Sequence, residues 1–151
     1  MAEVYVGIGS NLEPERNLRL AIRELTARFG APACSPVYRN AAVGFVGDDF
    51  LNMVASFRSD RGPEAIVTEI EQIHLLAGRA RGCERMISRT LDIDLLLYGD
   101  RVQASPPLPR DDVLDYLFVL RPLADLAPQL RHPVSGRRIA EHLAEHSGVE
   151  H

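Results

Sequence analysis

Arg89-Thr90-Leu91-Asp92-Ile93-Asp94-Leu95-Leu96-Leu97-Tyr98 is the stretch on which the fold of this 151-residue chain turns. Side chains alternate across a strand, so a strand here sends Leu91, Ile93, Leu95 and Leu97 to a core and holds Asp92 and Asp94 together on the opposite face. The two acids then lie roughly 6.5 Å apart at their Cα atoms, two strand rises. Carboxylates so placed repel each other and suit hard divalent cations with oxygen ligands. Immediately upstream, Arg79, Arg81, Arg85 and Arg89 fall within eleven residues. An acid pair that binds magnesium beside clustered guanidinium groups is what phosphoryl or pyrophosphoryl transfer requires, because metal and arginine together neutralise polyphosphate charge.

Working outward, Gly62-Pro63-Glu64 opens a helix with proline at its first position, and Ile66, Ile70, Ile73 and Ala77 repeat at helical spacing up to Gly78. Before it, Phe50 to Phe57 reads as a strand, residues 40 to 49 as a loop, and residues 35 to 39 as a short strand. The chain begins with a strand, Val4 to Gly9, and Ser10-Asn11 is expected to turn or cap the chain before a helix from near Pro14. Leu18, Ala21, Ile22, Leu25 and Phe29 form its apolar stripe, and Gly30 with Pro32 stops it. Downstream, Tyr98-Gly99-Asp100-Arg101 is a turn, read as that of a hairpin whose short second strand holds Val102. Pro106, Pro107 and Pro109 impose an extended loop, a helix is expected from about Asp115 to Leu126, and a last one from Ile139 to Ala144.

This order lacks the regular alternation of a doubly wound parallel sheet, so an α+β sandwich with a largely antiparallel central sheet flanked by helices fits better. Gly7-Ile8-Gly9 opens like a dinucleotide fingerprint, but Leu12 stands where its third glycine belongs. With 46% hydrophobic and 25% charged residues, residues 1–151 read as one globular domain with a real core. A net charge of −4 argues against nonspecific nucleic-acid binding, so the arginines point to a small anionic partner. Cys34 and Cys83 lack metal-ligand spacing and read as reduced cytoplasmic thiols. No apolar run approaches the roughly 20 residues a membrane span needs.

Several motifs in order then resemble those of one family. They are Tyr5-Val6-Gly7-Ile8-Gly9-Ser10-Asn11-Leu12, Ser35-Pro36-Val37-Tyr38-Arg39, Phe50-Leu51-Asn52, Gly78-Arg79-Ala80-Arg81, Arg89-Thr90-Leu91-Asp92-Ile93-Asp94 and the segment Phe118 to Pro122. Over nearly its whole length the chain resembles 6-hydroxymethyl-7,8-dihydropterin pyrophosphokinase of folate biosynthesis. The resemblance implies a ferredoxin-like fold, ATP as co-substrate, two Mg2+ ions, and transfer of pyrophosphate to the pterin with release of AMP. It further implies that Asp92 and Asp94 hold metal, that Arg79 and Arg89 contact phosphates, and that Asn52 hydrogen-bonds the pterin between the rings of Phe50 and Phe118. Val43 and Gly44 match the loop that reads the pterin edge, and Glu71, Arg81, Leu95 and Arg110 fall at nucleotide-side positions.

Departures from the family gather on that nucleotide side. Met86-Ile87-Ser88 replaces an aromatic residue followed by Gly-Pro, Pro109-Arg110 replaces Pro-His, Asp111 replaces an aromatic residue, and Tyr116 replaces an arginine. His74 stands where the family has glutamate, and its apolar neighbours mark it as a partly exposed bystander rather than a base. Weakened or altered nucleotide binding is expected, with Arg110 either pairing with a phosphate or lying on the surface. Plainer readings stand beside the sharp ones: Asp-x-Asp as a solvated strand face, the arginine loop as ordinary surface with Arg85 paired to Glu84, and isolated Phe50 and Phe118 as core. The competing functions are a divergent paralogue that binds a pterin but uses another donor or acceptor or does not turn over, and an RNA-binding module, the latter disfavoured by low aromatic content and negative charge.

Overall fold

The computed structural model describes residues 1–40, 49–78 and 91–146. Strand β1 (Ala2–Ser10) leads into helix α1 (Pro14–Phe29), short strands β2 (Ala33–Cys34) and β3 (Tyr38–Asn40), and the long strand β4 (Phe50–Ser59). Helix α2 (Pro63–Leu76), strand β5 (Asp92–Tyr98) and helices α3 (Asp112–Asp115), α4 (Leu117–Leu126) and α5 (Ile139–Glu145) follow. The sheet runs β2-β4-β1-β5, with β3 also paired to β4, and every pairing is antiparallel.

Alternation along the three long strands divides the core in two. Val4, Val6 and Ile8 of β1, Leu51, Met53, Ala55 and Phe57 of β4, and Ile93 and Leu95 of β5 meet Leu18, Ala21 and Leu25 of α1 and Ile66, Ile70 and Ile73 of α2. Arg28 of α1 and Arg61 both bond Glu69 of α2, at 2.6 and 2.7 Å, tying the helices on this face together. On the opposite face, Tyr5, Val54, Leu96 and Leu97 pack against Val113, Val119, Leu120, Leu123 and Ile139 of α3 to α5. These later helices cover only part of their face, and the uncovered end becomes the cavity described below.

The structure corrects several expectations. Leu97 packs on the second face rather than with Ile93 and Leu95, because the β1–β5 register steps from Val6↔Leu95 to Tyr5↔Leu97. Leu96 is the extra residue, and a one-residue irregularity flips every side chain beyond it. Ser10 ends β1 instead of capping α1; Glu13, at φ 46°, precedes the helix, and Asn17 Nδ2 ties down the turn by donating to the Leu12 carbonyl at 2.7 Å. The expected strand at 35 to 39 is two strands separated at Ser35–Val37, where Pro36 has no N–H to donate. Val102 lies in no hairpin strand; instead Gln103 and Leu108 bridge each other and close the proline segment into a compact turn.

The helix expected from about 115 to 126 is α4, starting at Leu117, and the short α3 before it was not expected. Tyr116 is extended, at φ −124° and ψ 128°, separating α3 from α4. Its carbonyl accepts the amides of Val119 and Leu120, so the break supplies the first acceptor of α4 while pointing the Tyr116 ring toward the cavity.

Candidate active site

Three strands place their polar residues in register on the half-open face. Gly9 of β1 pairs with Asn52 of β4 on one side and Asp92 of β5 on the other; Gly7 pairs with Val54 and Asp94. With strands about 4.8 Å apart, each row sets a β4 residue and a β5 carboxylate roughly 10 Å from one another across a glycine. The glycines leave room for their neighbours' side chains: a Cβ added at Gly7 would meet Leu96 at 3.4 Å. An added Cβ at Gly9 would stand 2.6 Å from Asn52 Oδ1, so that side chain already leans across the strand.

A cavity of about 510 Å³ rises from this floor, walled by Asn40, Phe50, Met53, Asp112, Tyr116, Phe118 and Val119. Phe50 and Phe118, which in isolation read as core residues, both face it. Tyr116 stacks on Phe118 with ring centroids 4.9 Å apart and 19° between planes, extending the aromatic wall. Asn40 and Asp112 were not among the residues singled out from the sequence. The alternation that aims Gly7 and Gly9 away from Val6 and Ile8 was legible there, whereas Tyr116 registered only as a lost arginine.

Asp92 and Asp94 share this cavity as their alternation required. Burial pushes the Asp94 carboxyl above the usual carboxylate range; the Arg110 guanidinium opposes that shift, while Asp92 and Asp112 add to it. A carboxylate so raised, with another on the same floor, favours a cation. Among the described residues no cluster of three or more His, Cys, Asp or Glu forms a metal site. Magnesium remains a good fit, since it keeps several waters and takes one or two carboxylates together with substrate phosphates.

Arg110 reaches the same acids. Its Nη2 lies 3.8 Å from Asp94 Oδ1 and its Nε 3.4 Å from Asp112 Oδ2. That Nε is buried and makes no hydrogen bond among the described residues, the 3.4 Å approach being an ion-pair contact only. Leu95 faces the core on the far side of the sheet, so only its backbone is available to a ligand. Glu71 is exposed on α2, with Oε1 3.2 Å from His74 Nδ1. His74 itself is not the partly exposed bystander expected: it is 3% accessible, and its Nε2 accepts the Ile93 amide at 2.9 Å. Val43, Gly44, Arg79, Arg81, Arg85 and Arg89, together with Cys83 and the 86 to 88 substitution, lie outside the described residues.

Residues 5–128 match the family described as 7,8-dihydro-6-hydroxymethylpterin-pyrophosphokinase (HPPK). The chain belongs to this family. It is 38% identical over 147 residues to the 2-amino-4-hydroxy-6-hydroxymethyldihydropteridine pyrophosphokinase of Pseudomonas aeruginosa, covering 93% of this chain and 90% of that relative. The Synechocystis protein of the same name is 37% identical over 141 residues, covering 90% of this chain and 72% of the relative. The crystal structure of Plasmodium falciparum HPPK-DHPS superposes with a TM-score of 0.73 at 12% identity. That likeness covers 95% of this chain but only 44% of the solved one, and at such low identity it speaks for the fold alone. The antiparallel sheet flanked by helices is therefore the fold of HPPK domains, and the family is one of enzymes, the pyrophosphokinases. No helix among the described residues is long and apolar enough to cross a membrane.

Proposed function

We propose that this chain, acting as a single domain, transfers the β,γ-pyrophosphoryl group of ATP to the hydroxymethyl oxygen of 6-hydroxymethyl-7,8-dihydropterin and releases AMP. One observation carries the proposal: Asn52, a bare glycine row and the Asp92/Asp94 pair lie side by side on the floor of a cavity walled by Phe50 and Phe118. A flat heterocycle fits between aromatic walls, and an amide offers it both a donor and an acceptor. The pterin hydroxyl oxygen forms a bond to the β-phosphorus, the bond from that phosphorus to the oxygen bridging the α-phosphate breaks, and AMP leaves with the electron pair while the hydroxyl proton passes to solvent. Asp92 and Asp94 would hold two Mg2+ ions, whose positive charge would offset that of the polyphosphate. Arg79 and Arg89 would meet the phosphates, Val43 and Gly44 the pterin edge, and Glu71, Arg81, Arg110 and the Leu95 backbone the nucleotide. Incubation with ATP, Mg2+ and the hydroxymethyl pterin should yield AMP and diphosphorylated pterin in equal amounts, and neither without divalent metal. Pterin binding without AMP would instead establish a paralogue that has lost this turnover.

Arg110 is assigned to phosphate because its guanidinium stands beside the cavity's acids, Nη2 3.8 Å from Asp94, while its Nε makes no hydrogen bond among the described residues. A guanidinium holds charge permanently and donates bidentately, which an ammonium cannot imitate. Arg110→Ala should weaken ATP binding in Mg2+ by about tenfold, the loss of one charge-assisted hydrogen bond, and Arg110→Lys should recover only part of it. Calorimetric titration reads both; an unchanged ATP affinity in Arg110→Ala would return this residue to the surface.

A further inference from the structure

We propose that His74 is a positioning residue for the acidic pair: by holding the Ile93 amide it fixes how Asp92 and Asp94 face a divalent cation. Strand β5 ends the sheet and is paired to β1 alone among the described strands. At an edge strand, alternate amides point away from the ladder and need another acceptor. The Ile93 amide, midway between the two aspartates, finds one in His74 Nε2 at 2.9 Å, inside the protein. A backbone N–H can only donate, so Nε2 carries the lone pair and Nδ1 the proton. Nδ1 then donates to Glu71 Oε1 at 3.2 Å, making this contact a hydrogen bond of a neutral ring rather than an ion pair. The Ile93 side chain is anchored beneath the sheet, 2% accessible. With both its amide and its side chain held, Ile93 cannot rotate, and the flanking carboxylates keep to the cavity side against their mutual repulsion. Side chains that orient metal ligands without touching the metal commonly change affinity by about 10- to 100-fold when lost.

The proposal rests on Asp92 and Asp94 being metal ligands, and its test separates the two. Mn2+ binding, followed by electron paramagnetic resonance with a nonhydrolysable ATP analogue, is compared in the parent, His74→Leu and His74→Gln. Glutamine restores an acceptor near the Nε2 position; leucine fills the space and leaves the amide unpaired. His74→Leu should lose about tenfold or more in Mn2+ affinity, His74→Gln should stay near the parent, and pterin affinity should be unmoved in both. Equal losses in the two variants, or none in His74→Leu, would overturn the proposal while leaving the metal site standing. No Mn2+ binding in the parent would remove the metal site and the proposal together. Should His74→Leu fail to fold, 15N spectra of the parent decide: an unprotonated Nε2 and a slowly exchanging Ile93 amide are expected, and a protonated Nε2 refutes the assignment.

Discussion

Asp92→Asn and Asp94→Asn should each lower AMP formation by about 10³-fold or more, the scale on which charge-neutralising groups act in phosphoryl transfer. Each removes the charge of a proposed metal ligand while preserving size, so circular dichroism and pterin binding should stay those of the parent. Asp94→Asn carries a second, opposite consequence. In the metal-free protein, burial holds the Asp94 carboxyl above its ordinary range, with Arg110 only partly compensating. A group whose folded pKa exceeds its unfolded value adds stability below the unfolded pKa and loses it as pH rises through the folded one. At neutral pH the ionised Asp94 is therefore a mild burden on the fold, and Asp94→Asn should raise Tm slightly rather than lower it. The increment should shrink on acidification, where the native carboxyl is itself neutral. An Asp94→Asn variant that is inactive and less stable at pH 7 would contradict this account of the site.

That trade of stability for chemistry explains what the sequence could and could not disclose. The acid pair was legible because strand alternation is strict over short distances: Ile93 and Leu95 face the core, and Asp92 and Asp94 the cavity. The same rule failed two residues later, at Leu97, since a register step depends on which residues of β1 stand opposite and leaves no local mark. Helices α1 and α2 lie where proline starts and apolar periodicity place them. Helix α3 was not legible: a helix is expected only from about Asp115, and the extended Tyr116 that separates α3 from α4 stacks on Phe118 and gives its carbonyl to α4.

His74 shows the limit most clearly. A histidine between apolar neighbours on a helix says nothing of what stands opposite, and its meaning appears only when β5 brings an unpaired edge amide to its Nε2. Arg110 is a milder case: the chemistry of guanidinium was foreseeable, but not that its nearest anions would be Asp94 and Asp112. Long-range partners of single polar residues are set by topology, so local periodicity does not encode them.

Gly9→Ala should cost about as much pterin affinity as Asn52→Ala, on the order of 10²-fold for the loss of two hydrogen bonds at a buried polar edge. Nothing about the backbone at Gly9 demands glycine; the demand comes from its neighbour, since a methyl there would stand 2.6 Å from Asn52 Oδ1. Asn52 is the flexible partner and would yield first, swinging its amide off the floor it shares with Asp92 across the Gly9 row. Two substitutions that disable one group do not add, so Gly9→Ala combined with Asn52→Ala should bind pterin no worse than Asn52→Ala alone. Calorimetry or ligand fluorescence reads all three affinities. Additive losses would mean that the methyl blocks the pterin directly, and parent-like binding by Gly9→Ala would mean that Asn52 does not read the ring at all.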